Sequence, residues 1–390
     1  MRLAVITAIP TPYRDPFWSE VDAHPDIESL DVYYCALGKP DRPWEVSWEQ
    51  RFNTHNLPSY NLLSWAGVDA SAYWVRGLQQ ELREGKHDAV IIGGYNHPSM
   101  LQAMRGCVAR KQPFYVMCET YKRRKTWKSF AKDRLMSYIS RHAAGAMPTG
   151  KLATEYLASY GMPRGRMIQV PNVPDVRGLI QSGVELRVHA QEIRKASGIP
   201  PEGPIATFVG RMIPKKRPML TLRAFADAAP PNATLVMLGD GPLMPECREL
   251  AKTLGLTGRV LFPGFCQPSE VPSYVAIADL FLLPSSETWG VAALEAASLG
   301  VRVVLSDEVG CHADLIQSEQ LGVVVSAGSQ GALTRAIASQ LELPLDPATR
   351  AAGAAFMKEN FAYDTVAKRL VDSISFRDSV YGQVTEGVVN

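Results

Sequence analysis

No stretch of the chain approaches the run of about 20 apolar residues that a membrane-crossing helix needs, so any bilayer contact is expected to be peripheral. The apolar run in MRLAVITAIPTPYR is too short for a secretory leader and is ended by Pro10 and Pro12, which points to a cytoplasmic protein. Cysteine is sparse and has no C-x-x-C pairing. Cys35, Cys107, Cys118, Cys247, Cys266 and Cys311 are scattered, as reduced thiols are, rather than grouped as a disulfide or zinc framework. No D-x-D follows a strand-like run, and histidine and acid spacings of the zinc type are missing, so no metal is expected. The G-x-G-x-x-G fingerprint is absent after the first strand, which argues against a dehydrogenase. A net charge of +2 excludes a polyelectrolyte role for the whole molecule and leaves only local basic patches to consider.

What is present is an ordinary soluble composition, 46% hydrophobic and 21% charged, in 390 residues. That length exceeds one ordinary core and implies two domains of about 150–200 residues each. Short β-branched runs recur at 2–7, 30–35, 88–94, 113–119 and 167–172, with helices expected at 72–84, 98–110 and 127–142. Apolar strands separated by helices imply a parallel sheet covered on both faces. The proline- and glycine-rich GIPPEGP reads as a break. Strands then restart at 205–211, 233–240, 259–265, 279–285, 302–307 and 322–327. Leu243, Cys247, Leu250, Ala251 and Leu254 form a helical stripe between two of them. The expected organisation is α/β: an N-terminal Rossmann-like domain over 1–185, a linker at 186–203 and a second such domain over 204–360. A C-terminal helix over 361–390 is expected to cross back to the first domain.

Ligands of doubly wound sheets sit beyond the carboxyl ends of the strands, so the loops there carry the candidates. In VGRMIPKKRP, Gly210 permits a sharp turn, and Arg211 and Lys216 place two cations at a strand end. A guanidinium grips phosphate oxygens in a fork and an ammonium neutralises a further charge. LGDGPL puts Gly239 in another turn that lets a ligand approach the main chain closely. In PSSETWGVAALEAASLG, Glu287 lies in the turn after a buried strand. Thr288, Trp289, Gly290 and Val291 then lead into a helix whose unpaired N–H groups favour an anion. Glu295 follows eight residues later, at most about 12 Å along a helix, which is the span from a sugar hydroxyl past a diphosphate to a ribose. The alternative is that Glu287 caps the helix and Glu295 is merely solvated.

These motifs, in this order, resemble the donor domain of family 4 glycosyltransferases, which have the GT-B fold. G-R-x-x-x-x-K, GDGPL, VLFPGF, the E-x7-E segment and SDEVGCHADLI carry the resemblance from about 203 to 327. VIIGGYNHP, YGMPRGRMIQVPNV and FAYDTVAKRL extend it over most of the chain. It implies two Rossmann-like domains facing across a cleft. The implied chemistry is retaining transfer from a nucleotide-sugar that needs neither metal nor cofactor. Position by position, Arg211 and Lys216 hold the diphosphate, Glu287 the sugar hydroxyls and Glu295 the ribose, with the main chain near Phe265 at the base. Trp289 stands where Phe is commoner, and Arg217 where Gly is common.

The acceptor side is expected to use Tyr13 and Arg14, Tyr95, Asn96 and His97, and Glu119, each in a loop after an N-terminal strand. His97 is a candidate for direct participation in catalysis, with a structural role as the alternative. The segment YKRRKTWKSFAKDR concentrates cations and aromatics over 122–134. Such a segment suits an anionic bilayer, and hence an acceptor on a lipid diphosphate, and a solvated helix or a polyanionic acceptor equally. No nucleic-acid module accompanies it. The expected activity is retaining transfer from a UDP- or GDP-sugar to a polysaccharide or lipid-linked glycan on the inner face of a membrane. A nucleotide-sugar epimerase or hydrolase, or a non-catalytic binder, remains as an alternative.

Overall fold

The computed structural model describes residues 1–38, 51–64, 71–121 and 129–386. The chain forms two compact units, one spanning Met1–Val173 together with the chain from Tyr363, the other spanning Pro174–Ala362. The first holds strands β1 (Arg2–Thr7), β2 (Ser29–Tyr34), β3 (Asn53–Asn56), β4 (Ser59–Asn61), β5 (Tyr73–Val75), β6 (Ala89–Ile92), β7 (Phe114–Cys118) and β8 (Gly145–Pro148). Its helices before the crossover are α1 (Asp15–Asp22), α2 (Leu78–Glu84), α3 (Pro98–Arg110), α4 (Ser129–His142) and α5 (Lys151–Ala158). Six strands pair in parallel in the order β3-β2-β1-β6-β7-β8, while β4 and β5 form a separate antiparallel pair.

The second unit repeats the arrangement. Helices α6 (Val176–Val188) and α7 (Ala190–Ala196) precede β9 (Ile205–Val209), α8 (Pro218–Ala228), β10 (Thr234–Leu238), α9 (Met244–Thr253) and β11 (Val260–Gly264). The chain continues through α10 (Val271–Ala276), β12 (Leu280–Leu283), α11 (Val291–Ser298), β13 (Arg302–Ser306), α12 (His312–Leu315), β14 (Gly322–Val325), α13 (Gln330–Glu342) and α14 (Pro347–Phe361). The sheet order is β11-β10-β9-β12-β13-β14, all parallel. The final helix, α15 (Tyr363–Glu386), packs on α1 within the first unit. Strands β10, β12 and β13 are buried along their whole length, because helices cover both faces of the sheet. Phe208, Phe225, Leu222 and Met237 lie in that core.

Several sequence expectations need correction. Residues 72–84 are not one helix, since Tyr73–Val75 pairs as a strand before α2 begins. Residues 167–172 form no strand and attach to β8 through single bonds, Ile168 N–H to Ala146 O and Val170 N–H to Pro148 O. The strands β3 (NTHN) and β8 (GAMP) have no β-branched run to announce them. Residues 186–203 hold the end of α6 and all of α7 rather than a bare linker. The division falls earlier, at Val173 and Pro174, because α6 packs on α10 and α11 of the second unit.

The polar edge strand β3 is tied in by side chains. Asp31 of β2 joins His55 Nε2 at 2.7 Å and His87 Nε2 at 3.0 Å, and the His55 ring stacks on Tyr33. Burial pushes the His87 imidazole below its ordinary value of 6.5, against the opposing pull of Asp31. The unfolded chain therefore takes up this proton before the native one does. Its contribution is full above about pH 6.5 and is lost as the pH falls. We expect thermal stability to drop between pH 7.5 and pH 5 and the slope to flatten in His87→Gln, at a cost of about 1–2 kcal/mol at the higher pH. Parallel melting curves at the two pH values check this, and an unchanged slope in the variant refutes it.

Candidate active site

In the second unit the chain runs from β9 outward to β10 and β11, then returns to the other side of β9 to begin β12. The loops after β9 and β12 therefore leave adjacent parallel strands in opposite directions, which is where such sheets open a crevice. The first loop carries Gly210, Arg211 and a single helical turn over Pro214–Lys216, and the second carries Ser285–Gly290. Their proximity is fixed by main-chain pairing, with Ser286 N–H donating to Lys215 O at 3.1 Å. The loop after β12 also pairs with the turn after β13: Glu287 N–H donates to Glu308 O, and Gly310 N–H to Glu287 O.

The consequence is an ion pair between two of the predicted residues. Lys216 Nζ lies 2.7 Å from Glu287 Oε1, both side chains being more than four-fifths buried. Lys215, half exposed, adds a second ammonium 4.0 Å from the other carboxylate oxygen. Arg211 projects into solvent at the mouth of the same loop, and no ion pair involves it among the described residues. Gly239 sits at φ +121°, where a Cβ would come within 2.2 Å of Gly210 O, so only glycine lets these two post-strand turns touch. The main chain there is held by Gly210 N–H to Leu238 O and Gly239 N–H to Gly264 O. Phe265, the next residue, is 69% exposed and gives the rim an apolar face.

Helix α11 starts at Gly290, which takes φ +115° and supplies no side-chain cap. Thr288 is exposed, Trp289 is buried, and Gly290 and Val291 are half-buried, so the two residues flanking Trp289 form the accessible part of this edge. An uncapped helix start with a partial positive charge is a site for an anion. Glu295 lies on the second turn of α11 and keeps some surface exposure. Protein surrounds it on most sides, no ion pair reaches it among the described residues, and desolvation pushes its carboxyl up to about 7. The two acids thus differ in kind: Glu287 is paired with a cation, while Glu295 is poised between a neutral donor and an anion.

The first unit brings part of the other set together at the carboxyl ends of its strands. Arg14, beginning α1 after β1, reaches Glu119 after β7 with Nη2 at 3.1 Å from Oε1. Burial lowers the Arg14 guanidinium, and Glu119 opposes the shift. Asn172 donates to the same Glu119 oxygen at 2.7 Å. Tyr13 is half-buried in the adjoining turn. Tyr95 is buried, with its hydroxyl donating to Thr120 Oγ1 at 2.9 Å, whereas Asn96 is exposed. His97 is 93% buried as the residue before α3. Its Nδ1 accepts the Tyr73 N–H at 3.4 Å and its ring lies against Tyr73. Those contacts place the ring in the packing of β5 against α3, the structural role held open in the sequence. Residues 122–128 of the basic segment lie outside the described residues; Lys132 is over the rings of Tyr95 and Tyr156.

Sequence reasoning missed Glu308, Lys215 and Asn172, and it treated Arg217 only as a departure from a pattern. It also missed Asp15, fully buried and accepting from Tyr34 Oη at 2.9 Å. No local spacing signals these partners. The group His24, Asp26 and Asp372 is the one set among the described residues whose ligand atoms could meet on an ion. It lies in the first unit, with both acids exposed. No helix among the described residues is long and apolar enough to cross a membrane.

Residues 189–355 match the family model described as Glycosyl transferases group 1. Among curated proteins the chain is similar to the D-inositol 3-phosphate glycosyltransferase of Rhodococcus opacus, 32% identical over 46% of this chain and 42% of that one. It is also similar to the 2-deoxystreptamine N-acetyl-D-glucosaminyltransferase of Streptomyces fradiae, 34% identical over 38% of this chain and 37% of that one. The chain thus spans less than half the length of these curated relatives. Among solved structures, Anabaena HepE in complex with UDP superposes with a TM-score of 0.72 at 18% identity, over 96% of this chain and 100% of that one. This shared fold is two Rossmann-like α/β domains of the GT-B class. The alternatives of an epimerase, a hydrolase or a simple binder gain nothing from these likenesses.

The raised Glu295 carboxyl gives a prediction with a definite sign. A group held more tightly protonated in the native state stabilises fully below its unfolded value near 4.5, and that contribution is lost as the pH rises through about 7. Glu295→Gln keeps the shape without the charge. It should therefore match the wild type near pH 5 and exceed it at pH 8.5 by on the order of 1 kcal/mol, the full shift being discounted for partial exposure. Urea denaturation at both pH values measures the difference, and an equal gap at the two values rejects it.

Proposed function

We propose, from the match of residues 189–355 to the group 1 glycosyl transferase model, that this chain is a glycosyltransferase that transfers a sugar from a UDP- or GDP-sugar to a polysaccharide or lipid-linked glycan with retention at the anomeric carbon. The observation that supports this reading best is the convergence of Lys216, Lys215 and Glu287 on adjoining loops beside the open start of α11. Arg211, Lys216 and the first N–H groups of α11 bind the diphosphate and meet the charge that builds up as the sugar–phosphate bond breaks. Fixed dipoles and cations aimed at developing charge are usually the largest catalytic contribution. No metal is needed for that role. Glu287, tied to Lys216, holds the sugar hydroxyls next to the phosphate that Lys216 neutralises. Glu295 holds the ribose hydroxyls, and the main chain at Phe265 the base.

Glu287, the acid at the sugar end of the site, is ion-paired with Lys216 rather than free to act as a nucleophile. We favour a front-face route in which the acceptor hydroxyl bonds to the anomeric carbon as the nucleoside diphosphate departs, its phosphate oxygen taking the hydroxyl proton. Arg14, Glu119 and Asn172 in the first unit, with Tyr13 and Asn96 nearby in their loops, form the acceptor side. The cations and aromatics of 122–134 support attachment to an anionic surface on the cytoplasmic side.

A thermal-shift series with UDP, GDP, ADP and their sugars tests the donor assignment. A nucleoside diphosphate at 100 times its Kd should stabilise the native chain by about 2.7 kcal/mol, and Lys216→Ala should lower its affinity at least tenfold while the chain still folds, with a lower melting temperature because Glu287 loses its contact partner. Silence of the wild type towards every nucleotide overturns the proposal. For the membrane contact, reversing the charges in 122–134 should release the protein from phosphatidylserine vesicles in a sedimentation assay. Equal sedimentation of the two forms removes it.

A further inference from the structure

Arg217, directly after the two lysines of the donor loop, is one of three non-glycine residues at positive φ among the described residues, with φ 55° and ψ 47°. A side chain in that left-handed region carries a backbone cost that glycine does not. Here the side chain makes contacts that glycine could not. Arg217 Nη1 donates to Pro284 O at 2.6 Å, at the exit of β12, and Nη2 pairs with the Glu308 carboxylate 91 residues away. The same Glu308 accepts the Glu287 N–H through its main-chain oxygen. Its own N–H is held by Ser306 Oγ, which in turn donates to Ser285 O at 2.5 Å. The three segments 215–217, 284–287 and 306–308 are therefore closed into one ring of contacts. Arg217 is the side chain that touches the other two.

We infer that Arg217 and Glu308 act together as a positioning pair for the donor site, setting the Lys216–Glu287 distance before any nucleotide arrives. Neither residue meets the donor itself; both hold the loops that do. Both side chains are about three-quarters buried, so solvent screens the pair less than a surface ion pair. The inference rests on the donor-site reading above and adds to it the part that fixes the geometry. A guanidinium is required because two acceptors, a carbonyl and a carboxylate, are engaged by one planar fork.

The test uses the full chain and the nucleoside diphosphate, UDP or GDP, that the wild type binds. Calorimetric titration should give at least fivefold weaker binding in Arg217→Gly and in Glu308→Ala, and the donor KM should rise by more than kcat falls. The double variant should be no worse than the poorer single one, as for residues that act as a unit. Arg217→Lys should recover part of the loss, since an ammonium keeps the charge but not the fork. Arg217→Gly should melt within about 2 °C of the wild type, because the relieved backbone offsets the lost contacts. Wild-type affinity in both single variants, or losses that multiply in the double, overturns the positioning role while leaving the donor site standing. A wild type that binds no nucleotide removes the donor-site reading and this inference with it.

Discussion

The ion pair between Lys216 and Glu287 exists because β9 and β12 are neighbours in space although some 70 residues separate them along the chain. A parallel sheet that builds outward on one side of its first strand and then on the other must part its loops at that strand. In this unit the parting leaves a lysine-bearing turn on one lip and an acid-bearing turn on the other. The remaining features serve that junction. Glycines at 210 and 239 let the turns approach, the turn after β13 fixes Glu287 by two main-chain bonds, and Gly290 opens the next helix without a cap.

The two acids of the segment 287–295 show how environment divides identical side chains. Glu287 meets one ammonium at contact distance and a second at 4.0 Å. Glu295, on a helix of alanines and leucine, has no such neighbour among the described residues, and desolvation pushes its carboxyl up to about 7. A neutral or barely ionised carboxyl can both donate and accept, which suits a pair of sugar hydroxyls. A paired carboxylate next to a lysine suits the boundary between a sugar and a phosphate. The separation therefore follows the changing polarity of the ligand proposed for the site.

The first unit uses the same sheet order with a different electrostatic pattern. Its strand-end loops present one buried arginine, Arg14, bound to an acid that also accepts from Asn172. Asp31, at the other edge of the sheet, is shared by two histidines and anchors a strand with almost no apolar residues of its own. Polar ties hold this strand, most of which is exposed.

Much of the architecture was legible in the sequence because parallel strands buried on both faces have to be continuously apolar, and 205–209, 234–238 and 280–283 announce themselves in that way. Lys216 and Glu287, which the structure brings together, were legible too, since each follows such a strand within a few residues. Edge strand β3 and small-residue strand β8 were not, because they are held by their strand neighbours rather than announced by their own pattern. The bonds of Arg217 to Pro284 and Glu308, of Arg14 to Glu119, and of Asp31 to its two histidines join residues that are distant in the chain. Sequence by itself determined which charged groups stand at strand ends. Only the tertiary structure decided which of them meet, because strand order, and not spacing along the chain, sets the distance between loops.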